Sequence, residues 1–120
     1  MKETYAEFIE KARVEYKKIG SITCPAFYGE QVYFNACGFN HLIRKGRVPR
    51  KISEQIRRIH LIPQAVAIVS KGMKAYVYRK TVMGQSVGHF WTFKKTYHDT
   101  KVQVVIRQMN TGRKHFFSVM

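Results

Sequence analysis

Apolar residues at Tyr5, Phe8, Ile9, Ala12, Tyr16 and Ile19 recur at helical spacing. They predict an amphipathic helix over about residues 2–19, stopped by Gly20. Ile22 to Phe27 is short, and Pro25 limits it to an edge strand or a turn. Gln31-Val32-Tyr33-Phe34 reads as a second extended piece, and Ala36 to Ile43 as a short helix broken near Gly46 and Pro49. Arg50 to His60 places Ile52, Ile56 and Ile59 on one face, with Arg50, Lys51, Arg57 and Arg58 on the others. Pro63 suits the first turn of a third helix, Gln64 to Lys71, closed by Gly72. From Met73 the period changes. Four runs rich in β-branched and aromatic residues follow, over about 73–82, 87–97, 101–109 and 114–120, separated by turn residues. Strands this close together pair antiparallel. The fold class expected is α+β: N-terminal helices packed on a C-terminal four-stranded antiparallel sheet, in one domain over residues 1–120.

Composition adds the electrostatics. Of 120 residues, 22 are Lys or Arg and 7 are Asp or Glu, a formal net charge of +15. Residues 1–30 are balanced, with Lys2, Lys11, Arg13, Lys17 and Lys18 against Glu3, Glu7, Glu10, Glu15 and Glu30. Beyond them only Glu54 and Asp99 are acidic, so the whole excess falls on residues 31–120. Such a body attracts polyanions. Nucleic acid is the first partner implied and an acidic protein the second. No apolar run reaches the roughly 18 residues of a membrane span, and no basic amphipathic helix with an aromatic face suggests a lipid surface. Met1-Lys2-Glu3-Thr4 opens without a signal-peptide core, which makes the cytoplasm the expected compartment. Cys24 and Cys37 have no metal-ligand spacing and are expected as free thiols.

The chemistry is bounded by what is scarce. Two carboxylates beyond residue 30 cannot build a magnesium cluster, so neither metal nor other cofactor is expected. Gly84-Gln85-Ser86-Val87-Gly88 approaches a nucleophile elbow but lacks the strand–turn–helix context. What remains is His, Lys, Arg, Tyr and Ser on a basic sheet. Those groups suit RNA, whose 2′-OH is an internal nucleophile that needs only a base, charge stabilisation and an acid. His41 stands at a short helix with Arg44 and Lys45 three and four residues on, a spacing that shares one face. Neighbouring guanidinium groups disfavour its protonated form and suit a base. Arg44, Lys45, Arg47, Arg50 and Lys51 form a basic segment for the RNA backbone. In the second strand His89, Trp91, Phe93, Lys95 and Tyr97 alternate to one face. In the third, Val102, Val104 and Ile106 read as core and leave Gln103, Val105 and Arg107 on the site-bearing face. In the last, Lys114, Phe116 and Ser118 oppose His115, Phe117 and Val119, and His115 is a further base candidate. Trp91, Tyr97 and Lys114 supply the aromatic and basic interleaving that base stacking uses.

Val32-Tyr33-Phe34, then Asn40-His41-Leu42, basic helices, a proline-led helix and four strands ending in Lys-His-Phe-Phe-Ser together resemble the barnase–EndoU–colicin–RelE superfamily of nucleases, in layout most of all its phage-associated branches. The resemblance covers about residues 30–120 as order and pattern. It implies metal-independent RNA cleavage leaving a 2′,3′-cyclic phosphate, and toxin-like service with an acidic antitoxin or immunity protein as partner. It maps the family histidine to His41, the strand cation to Lys95 or Arg107, and the last-strand hydroxyl to Ser118. Many members carry a second histidine in the helical region, where this chain has Arg44 or Lys45, so acid and base stay unassigned. The expected function is a metal-independent endoribonuclease acting on tRNA, mRNA or ribosome-bound RNA. The alternative is a non-catalytic RNA-binding module using the same cations.

Overall fold

Thr4 opens the first helix, its hydroxyl accepting from the Glu7 amide at 3.1 Å, and α1 runs Tyr5–Ile19 to Gly20 at φ 65°. The computed structural model describes residues 3–71 and 77–120. β1 (Ser21–Cys24) and β2 (Glu30–Tyr33) form an antiparallel hairpin around a single 3₁₀ turn at Pro25–Phe27. Asn35 then caps α2 (Ala36–Ile43), its side chain accepting from the Gly38 amide. A small hairpin follows, β3 (Arg44–Lys45) and β4 (Val48–Pro49), reversed at Gly46 with φ 65°. α3 (Ile52–His60) and α4 (Ile62–Lys71) lead to β5 (Val77–Met83), β6 (Ser86–Tyr97), β7 (Thr100–Met109) and β8 (Lys114–Val119). The expected helix stop at Gly72 and the expected start of the first long strand at 73–76 lie outside the described residues.

The α+β class stands, and β5 to β8 form the expected antiparallel meander. The sheet as a whole is not four-stranded and antiparallel. It is six-stranded and mixed, in the order β1-β2-β8-β7-β6-β5. The β1–β2 hairpin extends it beyond β8 through a parallel bridge between Tyr33 and His115. The physical reason is an edge. Without that hairpin β8 would present unpaired backbone groups beside a buried core, and a short strand covers it.

The core lies between one sheet face and the helices. Phe93, Val102, Val104, Ile106, Phe116 and Val119 meet Tyr16 of α1, Phe39 and Leu42 of α2, and Ala65, Ile68 and Val69 of α4. Gly38 lets α2 approach β8 closely, since a Cβ there would stand 2.5 Å from the Phe116 carbonyl oxygen. α3 departs from its predicted face. Ile52 is exposed, while Gln55, Arg58 and Ile59 are buried. The Gln55 amide accepts from the Tyr5 hydroxyl and donates to the Arg50 carbonyl, which gives a polar side chain a reason to face inward.

Candidate active site

The sheet face away from the core carries the site. Register places Arg79, Phe90 and Arg107 in one cross-strand row, and Val77, Thr92 and Val105 in the next. β8 supplies the third wall through a β-bulge opposite Val105 and Ile106. Val105 pairs with Ser118 and Ile106 with Phe116, leaving Phe117 as the extra residue. Simple alternation separates Ser118 from His115 and Phe117; the bulge instead puts Ser118 with Phe117 on the wall of the cleft and sends Val119 into the core. The resulting cleft of about 280 Å³ is lined by His41, Arg79, Phe90, Thr92, Phe117 and Ser118 among others.

Phe117 organises the chemistry. The His41 ring stacks on it at 4.4 Å, the Arg107 guanidinium lies 4.6 Å from its centroid, and Phe90 meets it edge-on at 5.6 Å. Arg107 is held from two further sides. Its Nε donates to His115 Nε2 at 3.0 Å and its terminal nitrogen contacts Cys37 Sγ at 3.2 Å. His115 is 8% exposed, and burial, then Arg107, pushes its pKa below the ordinary value of 6.5. It accepts a hydrogen bond from Arg107 and helps to hold that guanidinium in place.

His41 has a different set of neighbours from the one its sequence spacing suggests. α2 ends at Ile43 and the chain becomes extended, so Arg44 and Lys45 do not continue the helical face. Arg44 instead lines a shallow outer depression with Cys37, Asn40 and His41. The β3–β4 hairpin returns Arg50 to the histidine: its Nε donates to the His41 carbonyl at 3.0 Å and its terminal nitrogen stands 3.4 Å from His41 Nε2. Burial first, then Arg50, Arg58 and Arg107, lowers the pKa of His41 from 6.5. The direction matches the sequence expectation; the responsible cations do not include Arg44 or Lys45.

Arg58 was legible only as one more surface cation. It is 8% exposed and donates to Ser118 Oγ at 3.4 Å and to the Val119 carbonyl at 3.2 Å, while Glu54 accepts its Nε at 2.9 Å. The signal available was Glu54 four residues earlier, the spacing of a helical ion pair. The Arg57 and Arg58 guanidinium groups hold the Glu54 carboxyl down at about 2. Among the described residues, Arg50, Arg79 and Arg107 have no carboxylate within salt-bridge distance. Ser118 is 1% exposed, so its hydroxyl acts within the wall as an anchor for Arg58.

Four predicted site residues lie elsewhere. Lys95 pairs with Val102 and Trp91 with Ile106, which puts both on the core-side face, opposite Arg107. Lys95 stands beside Lys71, whose hydrogen bond and then charge lower its pKa. Tyr97 packs against the core with its hydroxyl buried. Lys114 ion-pairs with Glu30 at 2.8 Å on that same face. A strand places alternate residues on opposite faces, so Lys95 and Arg107 could not both serve one site. Arg47 is exposed on the β3–β4 turn, and Lys45 and Lys51 line a second depression beside Arg50 and Glu54. Among the described residues no three His, Cys, Asp or Glu side chains gather as a metal site, and no helix is long and apolar enough to cross a membrane. Comparison with known protein families, with characterised proteins and with solved structures gives no significant match.

Proposed function

We propose that the protein is a metal-independent endoribonuclease of the barnase–EndoU–colicin–RelE kind, cleaving RNA beside Phe117, whose ring both His41 and Arg107 contact. The observation that carries this reading is geometric: Arg50 stands at the His41 ring, Arg107 and His41 share the Phe117 ring, and Arg58 is held at Ser118 beside them. Cations packed together with one carboxylate, Glu54, repel one another until an anion arrives. A phosphate between Arg50 and Arg107 relieves that repulsion, and guanidinium forks suit its oxygens.

The step then follows from the residues. The neutral imidazole of His41 takes the 2′-OH proton as the 2′ oxygen bonds to phosphorus. Arg107 and Arg50 stabilise the charge on the phosphorane oxygens. The bond to the 5′ oxygen breaks, that oxygen is protonated from water, and a 2′,3′-cyclic phosphate remains. Phe90 and Phe117 offer apolar surface for the flanking base. An acidic protein covering the same cations would act as inhibitor, in keeping with a toxin-like role.

The test is His41→Ala against Arg107→Ala. His41→Ala is expected to lower the cleavage rate by about 10²–10⁴, and Arg107→Ala by about 10²–10³. Both variants keep the fold and keep RNA binding, because the other cations remain. Wild-type rates in both variants would move the site away from this cleft. RNA binding by wild type with no cleavage of any RNA would make the protein a binding module.

A further inference from the structure

Among the described residues, the helices do not cover the whole core-side face of the sheet. Beyond Phe27 it carries an aromatic cluster that the cleft does not use. Tyr78 of the edge strand β5 pairs across to Trp91, and His89 stands two residues before Trp91 on β6. Ring centroids are 5.9 Å apart for Tyr78–His89, 6.0 Å for His89–Trp91 and 5.4 Å for Tyr78–Trp91, and planes are inclined by only 17°, 24° and 39°. The Tyr78 hydroxyl and His89 Nδ1 are 2.6 Å apart, which fixes the two rings relative to one another. Tyr78 remains 51% exposed. Cations border the cluster: Lys80 pairs across from His89, and Lys114 Nζ lies 5.1 Å from the Trp91 centroid.

Three neighbouring rings, with His89 stacked against both Tyr78 and Trp91 and edged by cations, make a stacking surface for nucleobases. An exposed Tyr78 held by half-buried His89 and Trp91 costs little ordering on binding. The position adds direction. β5 is the sheet's outer strand, and alternation sends Arg79 into the cleft while Tyr78 and Lys80 face the aromatic cluster. One edge strand thus borders both surfaces, and a chain leaving the cleft past Arg79 reaches Tyr78 by rounding that edge.

We infer that Tyr78, His89 and Trp91 form a second binding site, which stacks bases of the single-stranded RNA whose scissile phosphate lies in the cleft. Only the identity of that strand rests on the proposed cleavage; the stacking itself does not. Trp91 is the chain's single tryptophan, so its emission reports the site directly. The probe is a 2′-O-methyl oligoadenylate, which cannot be cut by 2′-OH attack, with inorganic polyphosphate as an anion lacking bases. Oligoadenylate is expected to quench Trp91 emission saturably, and polyphosphate to bind without quenching. Tyr78→Ala, at an exposed position, should weaken oligoadenylate binding by about tenfold and leave polyphosphate affinity unchanged. It should also leave cleavage of a dinucleoside monophosphate, too short to leave the cleft, at the wild-type rate. Oligoadenylate that fails to bind, binds without changing Trp91 emission, or binds Tyr78→Ala as tightly as wild type would overturn the inference. Quenching by oligoadenylate in a protein that cleaves no RNA would leave this site standing and remove the nuclease.

Discussion

His41 gains its chemistry from groups that lie far apart in the chain. Burial and three guanidinium groups hold its pKa below 6.5, so the imidazole is neutral and able to accept a proton across the neutral range. The acid limb of the kcat/KM–pH profile should therefore fall below pH 6.5. Removing a neighbouring cation stabilises the protonated ring, so Arg50→Ala should move that limb, and the His41 titration followed by NMR, to higher pH. A limb that stays in place would mean that Arg50 does not sense His41. Arg107 depends on its fork: Nε on His115 and a terminal nitrogen at Cys37. A lysine cannot reproduce that geometry, so Arg107→Lys should recover little of the rate lost in Arg107→Ala. His41 and Arg107 were legible in the sequence because a histidine and a mid-strand arginine stand out from their neighbours. Arg58 was only partly so: Glu54 four residues earlier signals an ion pair, but not that the arginine turns inward to meet Ser118.

At the scale of elements, two irregularities create the site. The β3–β4 hairpin folds nine residues back so that Arg50 meets the His41 carbonyl, and the bulge at Phe117 turns Ser118 into the cleft wall. Both break the periodicity from which a sequence is read. Alternation and helical spacing recovered α2, the β5–β8 meander and the core residues of β7, yet separated His115 from Ser118 and joined Arg44 to His41. The parallel bridge of β2 to β8 was equally hidden, because a short strand carries no record of its partner. Gly38 is the element-scale constraint with the clearest consequence. Its replacement by Ala meets the backbone of Phe116 and the Tyr16 hydroxyl, neither of which can yield without moving α2 or α1. Gly38→Ala should cost about 1–3 kcal/mol of stability in denaturant unfolding. Wild-type stability in that variant would mean that α2 stands farther from β8 than described.

For the molecule as a whole, charge dominates. The +15 excess belongs to residues beyond 30, and the exposed cations Arg44, Lys45, Arg47 and Lys51 continue the basic surface outward from His41. RNA affinity should fall with salt by about 0.7 log unit per neutralised phosphate for each log unit of salt. Charge reversal at those four residues should flatten the slope; an unchanged slope would take them out of the contact surface. The same electrostatics affects stability. His41 and His115 both have folded-state pKa values below the unfolded 6.5, so the unfolded chain takes up protons first as pH falls. Stability is therefore full above pH 6.5 and declines below it, and Tm measured across that range should show the fall. His115→Gln, which keeps an acceptor for Arg107 without a proton to gain, should reduce the decline.

The most direct measurement is the chemistry of the cut. Purified protein is incubated with RNA in excess EDTA, and fragment ends are identified by mass. Cleavage is expected to persist and to leave 2′,3′-cyclic phosphates, while RNA carrying a 2′-O-methyl group at the cut is bound and stays intact. Activity abolished by EDTA would reveal a metal-dependent reaction, and cleavage of the methylated strand at the normal rate would show that the 2′-OH is not the nucleophile; either result contradicts cleavage by His41 and Arg107.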